Sequence, residues 1–160
     1  NEYFEKFNQI FGVLSLTAIP DNKDMWKKYS ADYSGFCVGF HTIPLFKLSQ
    51  YFGGGGEVSY SEELPIIKAF DLIEKKNHLQ IFSKLNKWEF EKEYRLTKFN
   101  IQTRQVKIPN EIFAEIILGY KISPVQKNEI SIIVRDRFPL VKLFESTLRN
   151  NSIIIKPFEQ

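Results

Sequence analysis

The sequence predicts an α+β fold: a mixed, mostly antiparallel sheet with about three helices. Two kinds of segment lead there. Several short stretches alternate with the period of a strand, among them FGVLSLT (11–17), GFCVGFHT (35–42), VKLFEST (141–147) and SIIIKPF (152–158). Other stretches carry helix-start residues ahead of apolar positions at helical spacing, at 21–29, 70–85 and 123–136. The two kinds follow one another without steady strand–helix–strand alternation, which argues against a parallel doubly wound sheet. No internal repeat and no linker interrupts the 160 residues, so 1–160 is read as a single domain.

Taken in order, FGVLSLT places Phe11, Val13, Ser15 and Thr17 on one face and Leu14 and Leu16 on the other. AIPDN ends it, and Asp21 or Asn22 caps a short helix through Met25, Trp26 and Tyr29, which Gly35 stops. GFCVGFHT follows as a strand with Phe36, Val38 and Phe40 inward. Gly53 to Gly56 is expected to be a flexible loop, because glycine has the most conformational freedom to lose on being fixed. EVSYSEEL restarts a strand, and apolar residues from Phe70 to Leu85 are spaced as in a helix. KWEFEKEYRL is read as a strand, EIILG as a buried one. Ser123-Pro124 with Gln126 is a helix start, with serine as cap and proline in the first turn. The last two strands are joined by LRNN as a hairpin.

Composition removes several function classes. One cysteine, Cys37, leaves no disulfide framework and no multi-cysteine zinc site. His41 and His78 have no ligand-spaced neighbour, so no metal is expected. No apolar run reaches the roughly 18–20 residues of a membrane helix, no secretory leader pattern opens the sequence, and a cytoplasmic setting is expected. The net charge of +3 comes without a basic block, so nucleic-acid binding is permitted but not indicated. The glycine run lacks the ending of a phosphate loop.

The chemistry-bearing stretch is KWEFEKEYRLTK (87–98). As a strand it would set Trp88, Phe90, Tyr94 and Leu96 on one face, and Glu89, Glu91, Glu93 and Arg95 on the other. Such a row is either a solvent-facing ionic ladder or, beside a cleft, a source of a carboxylate with a shifted pKa. The Met25-Trp26-Tyr29 group lies on one side of a helix; it is core packing unless the Tyr29 hydroxyl reaches a pocket mouth.

Two blocks carry a family resemblance. MWKKYSADYSGFCVGF (25–40) and KWEFEKEYRL (87–96) resemble the signature blocks of a bacterial family of unknown function, DUF2971-like, with Met-Trp-x-x-Tyr…Gly-Phe-Cys followed by Trp-x-x-Glu-x-Glu-Tyr-Arg. The resemblance runs from about Phe11 onward, with relatives carrying a further N-terminal portion. It therefore implies that this chain, which opens on Asn1, corresponds to the C-terminal part of such a domain.

A more distant resemblance is to ADP-ribosyltransferases of the Ser-Thr-Ser and Glu-x-Glu type. Ser15 and Thr17 match the first and third positions of the former, with Leu16 in the middle, and Glu91 and Glu93 match the latter. That resemblance implies NAD as substrate and a catalytic Glu93 that stabilises an oxocarbenium-like transition state, assisted by Glu91. Ser15, Thr17 and Tyr29 would line the cofactor pocket, and Trp26 and Arg95 would meet the substrate. The partner would be a macromolecular target, protein or nucleic acid, in a toxin or phage-defence setting, with no membrane involved. The phosphate-binding arginine of that branch has no counterpart at the matching place in this sequence. The alternative is a non-catalytic binding or protein-interaction module of a bacterial defence or stress protein.

Overall fold

The computed structural model describes residues 2–159. In chain order the elements are α1 (Glu2–Ile10), β1 (Phe11–Thr17), α2 (Lys23–Tyr29), β2 (Phe36–Phe40), α3 (Thr42–Phe46), β3 (Gly54–Glu57), β4 (Ser59–Ser61), α4 (Ile73–Phe82), β5 (Ser83–Leu85), a 3₁₀ turn (Asn86–Glu91), β6 (Glu93–Phe99), a second 3₁₀ turn (Asn110–Ile112), β7 (Phe113–Leu118), α5 (Pro124–Arg137), β8 (Lys142–Arg149) and β9 (Ser152–Pro157). The fold is mixed α+β, as the patterning predicts. Helices α1 and α3 are additions that the sequence reading does not name. Chain contacts divide into two compact units, one holding residues up to Ile19 with Phe46–Val106, the other Pro20–Leu45 with residues from Lys107 onward.

The first unit is built on an antiparallel sheet of order β1-β6-β3 and a parallel pair, β4-β5. In the β1–β6 ladder Ser15 lies opposite Arg95 and Thr17 opposite Glu93, while Leu14 lies opposite Leu96. Leu96 is 1% exposed, so the leucine face of β1 packs inward and the hydroxyl face carries the polar residues.

The glycine run is not a loop. Gly54, Gly55 and Gly56 pair with Thr97, Leu96 and Arg95, and no glycine among the described residues has a positive φ. At Gly55 the space demands glycine: a Cβ there would stand 2.5 Å from Leu96 Cδ2 and 2.9 Å from the Arg95 carbonyl oxygen. Ladder hydrogen bonds to β6 offset the entropy that fixing glycine costs.

The acidic stretch also departs from its expected form. Asn86–Glu91 winds as a 3₁₀ turn, and Lys92 closes it in the left-handed region (φ 42°, ψ 56°) with its N–H donating to the Glu89 carbonyl at 3.1 Å. Strand β6 starts only at Glu93. With three residues per turn, Glu89 lies beside Lys92, and the two pair at 2.9 Å on the exposed side. The single acidic row is therefore broken into an exposed Glu89 and a buried Glu91 and Glu93. The expected helix over 70–85 likewise ends at Phe82, and Ser83–Leu85 becomes β5.

The second unit holds a four-stranded sheet of order β2-β7-β8-β9. Strands β7 and β8 are parallel and are linked through α5; β2–β7 and β8–β9 are antiparallel. Its core is the cluster Trp26, Tyr33, Ile117 and Ile153, with Cys37, Tyr120, Phe144 and Ile155 packed against it. Cys37, rather than Phe36, turns to that cluster; Phe36 is half exposed, which reverses the inward face expected at the start of β2.

Local chemistry fixes the ends of the helices. Asn22 Oδ1 accepts from the Asp24 and Met25 amides at 3.0 and 3.1 Å to cap α2. Ser123 Oγ accepts from the Gln126 amide at 3.2 Å and donates to Gln126 Oε1 at 2.9 Å, with Pro124 in the first turn of α5. After α2, Ala31, Asp32 and Tyr33 all have positive φ (49°, 54° and 70°). The hairpin between β8 and β9 turns on Asn150 and Asn151, both left-handed, which matches the right-handed twist of the strands it joins.

Candidate functional site

Within the first unit, four charged side chains converge from three adjoining segments: Lys84 from β5, Glu91 from the end of the 3₁₀ turn, and Glu93 and Arg95 from β6. Arg95 grips the Glu93 carboxylate with both arms, Nε to Oε1 at 2.8 Å and Nη2 to Oε2 at 2.9 Å. Lys84 Nζ donates to Glu93 Oε2 at 3.1 Å and to Glu91 Oε2 in a shorter bond. The Ser15 hydroxyl, opposite Arg95 in the β1–β6 ladder, adds a further influence that favours the ionised Glu93. Arg95 Nη1 donates to the Ile81 carbonyl at the end of α4, so the guanidinium also ties helix to sheet.

The backbone is held as closely. The Glu93 amide donates to the Tyr60 hydroxyl at 2.9 Å, and the Thr17 hydroxyl donates to the Glu91 carbonyl at 2.8 Å. Lys84 Nζ also lies 5.5 Å from the centre of the Trp88 ring, where the π face favours a cation.

Both carboxylates are buried, Glu91 2% and Glu93 4% exposed. Burial alone would raise the Glu93 pKa. Arg95, Ser15 and Lys84 outweigh it and bring it from the ordinary 4.5 down to about 2. Burial likewise works against a charged Lys84, and its bonds to Glu91 and Glu93 overcome that and hold its pKa above the usual lysine value. Two carboxylates and two cations make the cluster formally neutral.

Ser15, Glu91, Glu93 and Arg95 are thus brought together, and Thr17 reaches Glu91 through its backbone. Tyr29 and Trp26 belong to the second unit. There Tyr29 is 60% exposed at the end of α2. Trp26 is buried, with its indole N–H donating to the Pro20 carbonyl at 2.7 Å, the placement of a packing residue. Lys84 is the functional-type residue that the sequence does not reveal. Read as part of a helix over 70–85, it has no reason to face Glu93, and only β5 turns it there. Among the described residues no group of three or more His, Cys, Asp or Glu is placed to hold a metal ion. The Lys84 ammonium itself stands between the two carboxylates. Among the same residues no helix is long and apolar enough to cross a membrane.

A family model described as a protein of unknown function (DUF2971) matches residues 25–96. That stretch is similar to the family and is less than half of the chain. The DUF2971 stretch runs from Met25 to Leu96, so it takes in Lys84, Glu91, Glu93 and Arg95 and leaves Ser15 and Thr17 outside. No curated protein and no solved structure matches the chain.

Proposed function

We propose that the chain acts as a non-catalytic binding module in which the Lys84–Glu91–Glu93–Arg95 cluster is an internal rivet. The observation that carries this reading is the pairing of the buried Glu93 with both Arg95 and Lys84. An ionised carboxylate accepts about four hydrogen bonds, and Glu93 already has two from Arg95 and one from Lys84. To face a developing sugar cation it would have to do so while held by two cations, Lys84 and Arg95, that already neutralise it. A binding module needs a surface instead. The first unit offers one in the segment from Leu64 to Ile73, where Ile66, Phe70 and Leu72 are 83%, 100% and 74% exposed.

A second reading keeps one specific support. A hydroxyl on β1 beside an ionised glutamate at the head of β6 is the arrangement that ADP-ribosyl transfer from NAD would use, with Ser15 orienting Glu93 beside the ribose. In that reaction the bond from the ribose carbon to nicotinamide breaks, nicotinamide leaves with the bonding pair, and a nucleophile on the target takes its place. Glu93 would stabilise the cation between those events.

One titration separates the two. A ligand held at about 100 times its Kd raises the stability of the folded state by about 2.7 kcal/mol. A binding module in which Glu93 is held by Arg95 and Lys84 is expected to show no melting-temperature shift with millimolar NAD. A shift that is present in the wild type and absent in Ser15→Ala would overturn the module reading in favour of the transferase.

A further inference from the structure

The second unit contains a cavity that none of the chemistry above uses. It has a volume of about 410 Å³ and lies where β8 runs on past the end of β7. Pairing between the two parallel strands stops at Leu118–Glu145, and the chain then leaves β7 through Gly119 and Tyr120 toward α5 while β8 continues to Arg149. The crevice beyond the carboxyl end of a parallel strand pair is where open α/β sheets place their ligands. Its volume is within the range of small-molecule sites, roughly 300–1,000 Å³.

Its lining has a consistent chemistry. Tyr120 and Ile122 supply apolar wall, and Lys127, Glu145 and Thr147 supply the polar groups. Lys127 Nζ lies 2.7 Å from Glu145 Oε2, and Lys156 Nζ lies 3.4 Å from Oε1 of the same carboxylate. Two ammonium groups thus share one carboxylate; Lys127 lines the cavity and Lys156 reaches Glu145 from outside the lining, so the excess positive charge stands beside the cavity. Lys127 is anchored from its other side by the Phe158 ring, 4.8 Å away, so its ammonium is held near Glu145. The far wall is rigid: a Cβ on Gly119 would fall 2.1 Å from the Tyr33 carbonyl oxygen, and the Gly119 amide donates to the Gly35 carbonyl at 2.9 Å.

We infer that this cavity binds a small oxyanion, a phosphate ester or a carboxylate, through Lys127 and the Thr147 hydroxyl, with its organic part against Tyr120 and Ile122. The excess positive charge selects the sign. A cation would compete with two lysines already on Glu145, whereas an anion completes the charge balance. The ammonium is a donor, the Thr147 hydroxyl exchanges its long 3.5 Å bond to the Ile154 carbonyl for the anion, and the apolar wall favours an anion that carries a body over a bare ion.

The test is a titration of the full, ¹⁵N-labelled chain with inorganic phosphate, phenyl phosphate and benzoate at constant ionic strength, read by amide shifts. Saturating changes centred on Gly119, Lys127 and Thr147 are expected, with the aromatic anions binding more tightly than inorganic phosphate. Phenyl phosphate stronger than benzoate assigns the phosphate ester, and the reverse order assigns the carboxylate. Lys127→Met should weaken binding at least about tenfold, the effect of losing one charge-assisted bond. Lys142→Met, which removes the same charge from the exposed start of β8, should leave it unchanged. Thr147→Val supplies an independent arm, with a loss of about threefold or more if Lys127→Met perturbs the fold. Changes scattered over surface lysines, or equal affinity in both Lys127→Met and Thr147→Val, would overturn the assignment.

Discussion

The two units use buried polar groups in opposite ways. In the second, the core is apolar and aromatic around Trp26 and Ile117, and the polar groups inside it are neutral, as where the buried Ser146 hydroxyl donates to the Leu118 carbonyl at 2.9 Å. Its ion pairs, such as Lys127–Glu145, stand where water reaches them. In the first unit two carboxylates lie inside and are tolerable only because Lys84 and Arg95 accompany them. Apolar packing loses stability gradually as atoms are removed. A neutralised charge cluster fails when any member leaves, because what remains is an unpaired charge away from water. The first unit should therefore be the one that single charge changes and acid can open.

The largest expected effect is at Glu93. Glu93→Ala leaves Arg95 with only the Ile81 carbonyl among its bonds above and Lys84 with Glu91, and should cost about 3–5 kcal/mol. Hydrogen exchange should show that loss in β1 and β6 before it appears in β7 and β8. Equal loss in both would erase the contrast between the units.

Acid should act at the same place. Glu93 has a folded-state pKa near 2 against an ordinary 4.5, so its stabilisation is complete above about pH 4.5 and is lost as pH falls toward 2. The upper bound on that loss is about 3 kcal/mol at 1.36 kcal/mol per pKa unit. Denaturant titrations between pH 6 and pH 2.5 check it: the slope should flatten in Glu93→Gln, and an unchanged slope would mean that other carboxylates carry the acid sensitivity.

A smaller effect separates neighbouring glycines of β3. Gly55→Ala forces a Cβ to within 2.5 Å of Leu96 and should cost about 1–3 kcal/mol, whereas Gly54→Ala meets nothing nearer than Thr97 Oγ1 at 3.9 Å. Similar melting temperatures for the two variants would mean that β3 is not held in this register. The smallest effect belongs to Glu89→Gln, which breaks an exposed pair with Lys92 and should change stability by less than about 1 kcal/mol. Its contrast with Glu93 measures how much burial, rather than charge as such, matters along this stretch.

What could be read from the sequence follows from where each signal resides. The caps at Asn22 and Ser123 and the hairpin at Asn150-Asn151 are written within four or five residues, and they appear in the structure where the sequence puts them. Strand β1 also declares itself, because one of its faces is leucine and the other hydroxyl. Strand β3 does not, since Gly54–Gly56 is a strand only through its ladder to β6 and the tight approach of Gly55 to Leu96. The acidic stretch misled through its period of two, which continues through a 3₁₀ turn with no Gly or Pro to mark it, until Lys92 turns left-handed. At the candidate site, proximity of Ser15, Glu93 and Arg95 was legible because all three lie on alternating strands. Lys84 was not, because a three-residue parallel strand has no local signature.

The turn at Ala31, Asp32 and Tyr33 has a bearing on how this sequence can drift. Three successive L-residues there stand in a region that costs a non-glycine residue about 1 kcal/mol or more. Aspartate tolerates it best of the three, and Tyr33 is retained by its place in the Trp26 cluster, so the strain is least defended at Ala31. Replacing Ala31 with glycine or asparagine removes a penalty without removing a core contact. A thermostabilised variant of this protein accordingly has its simplest first substitution at that position.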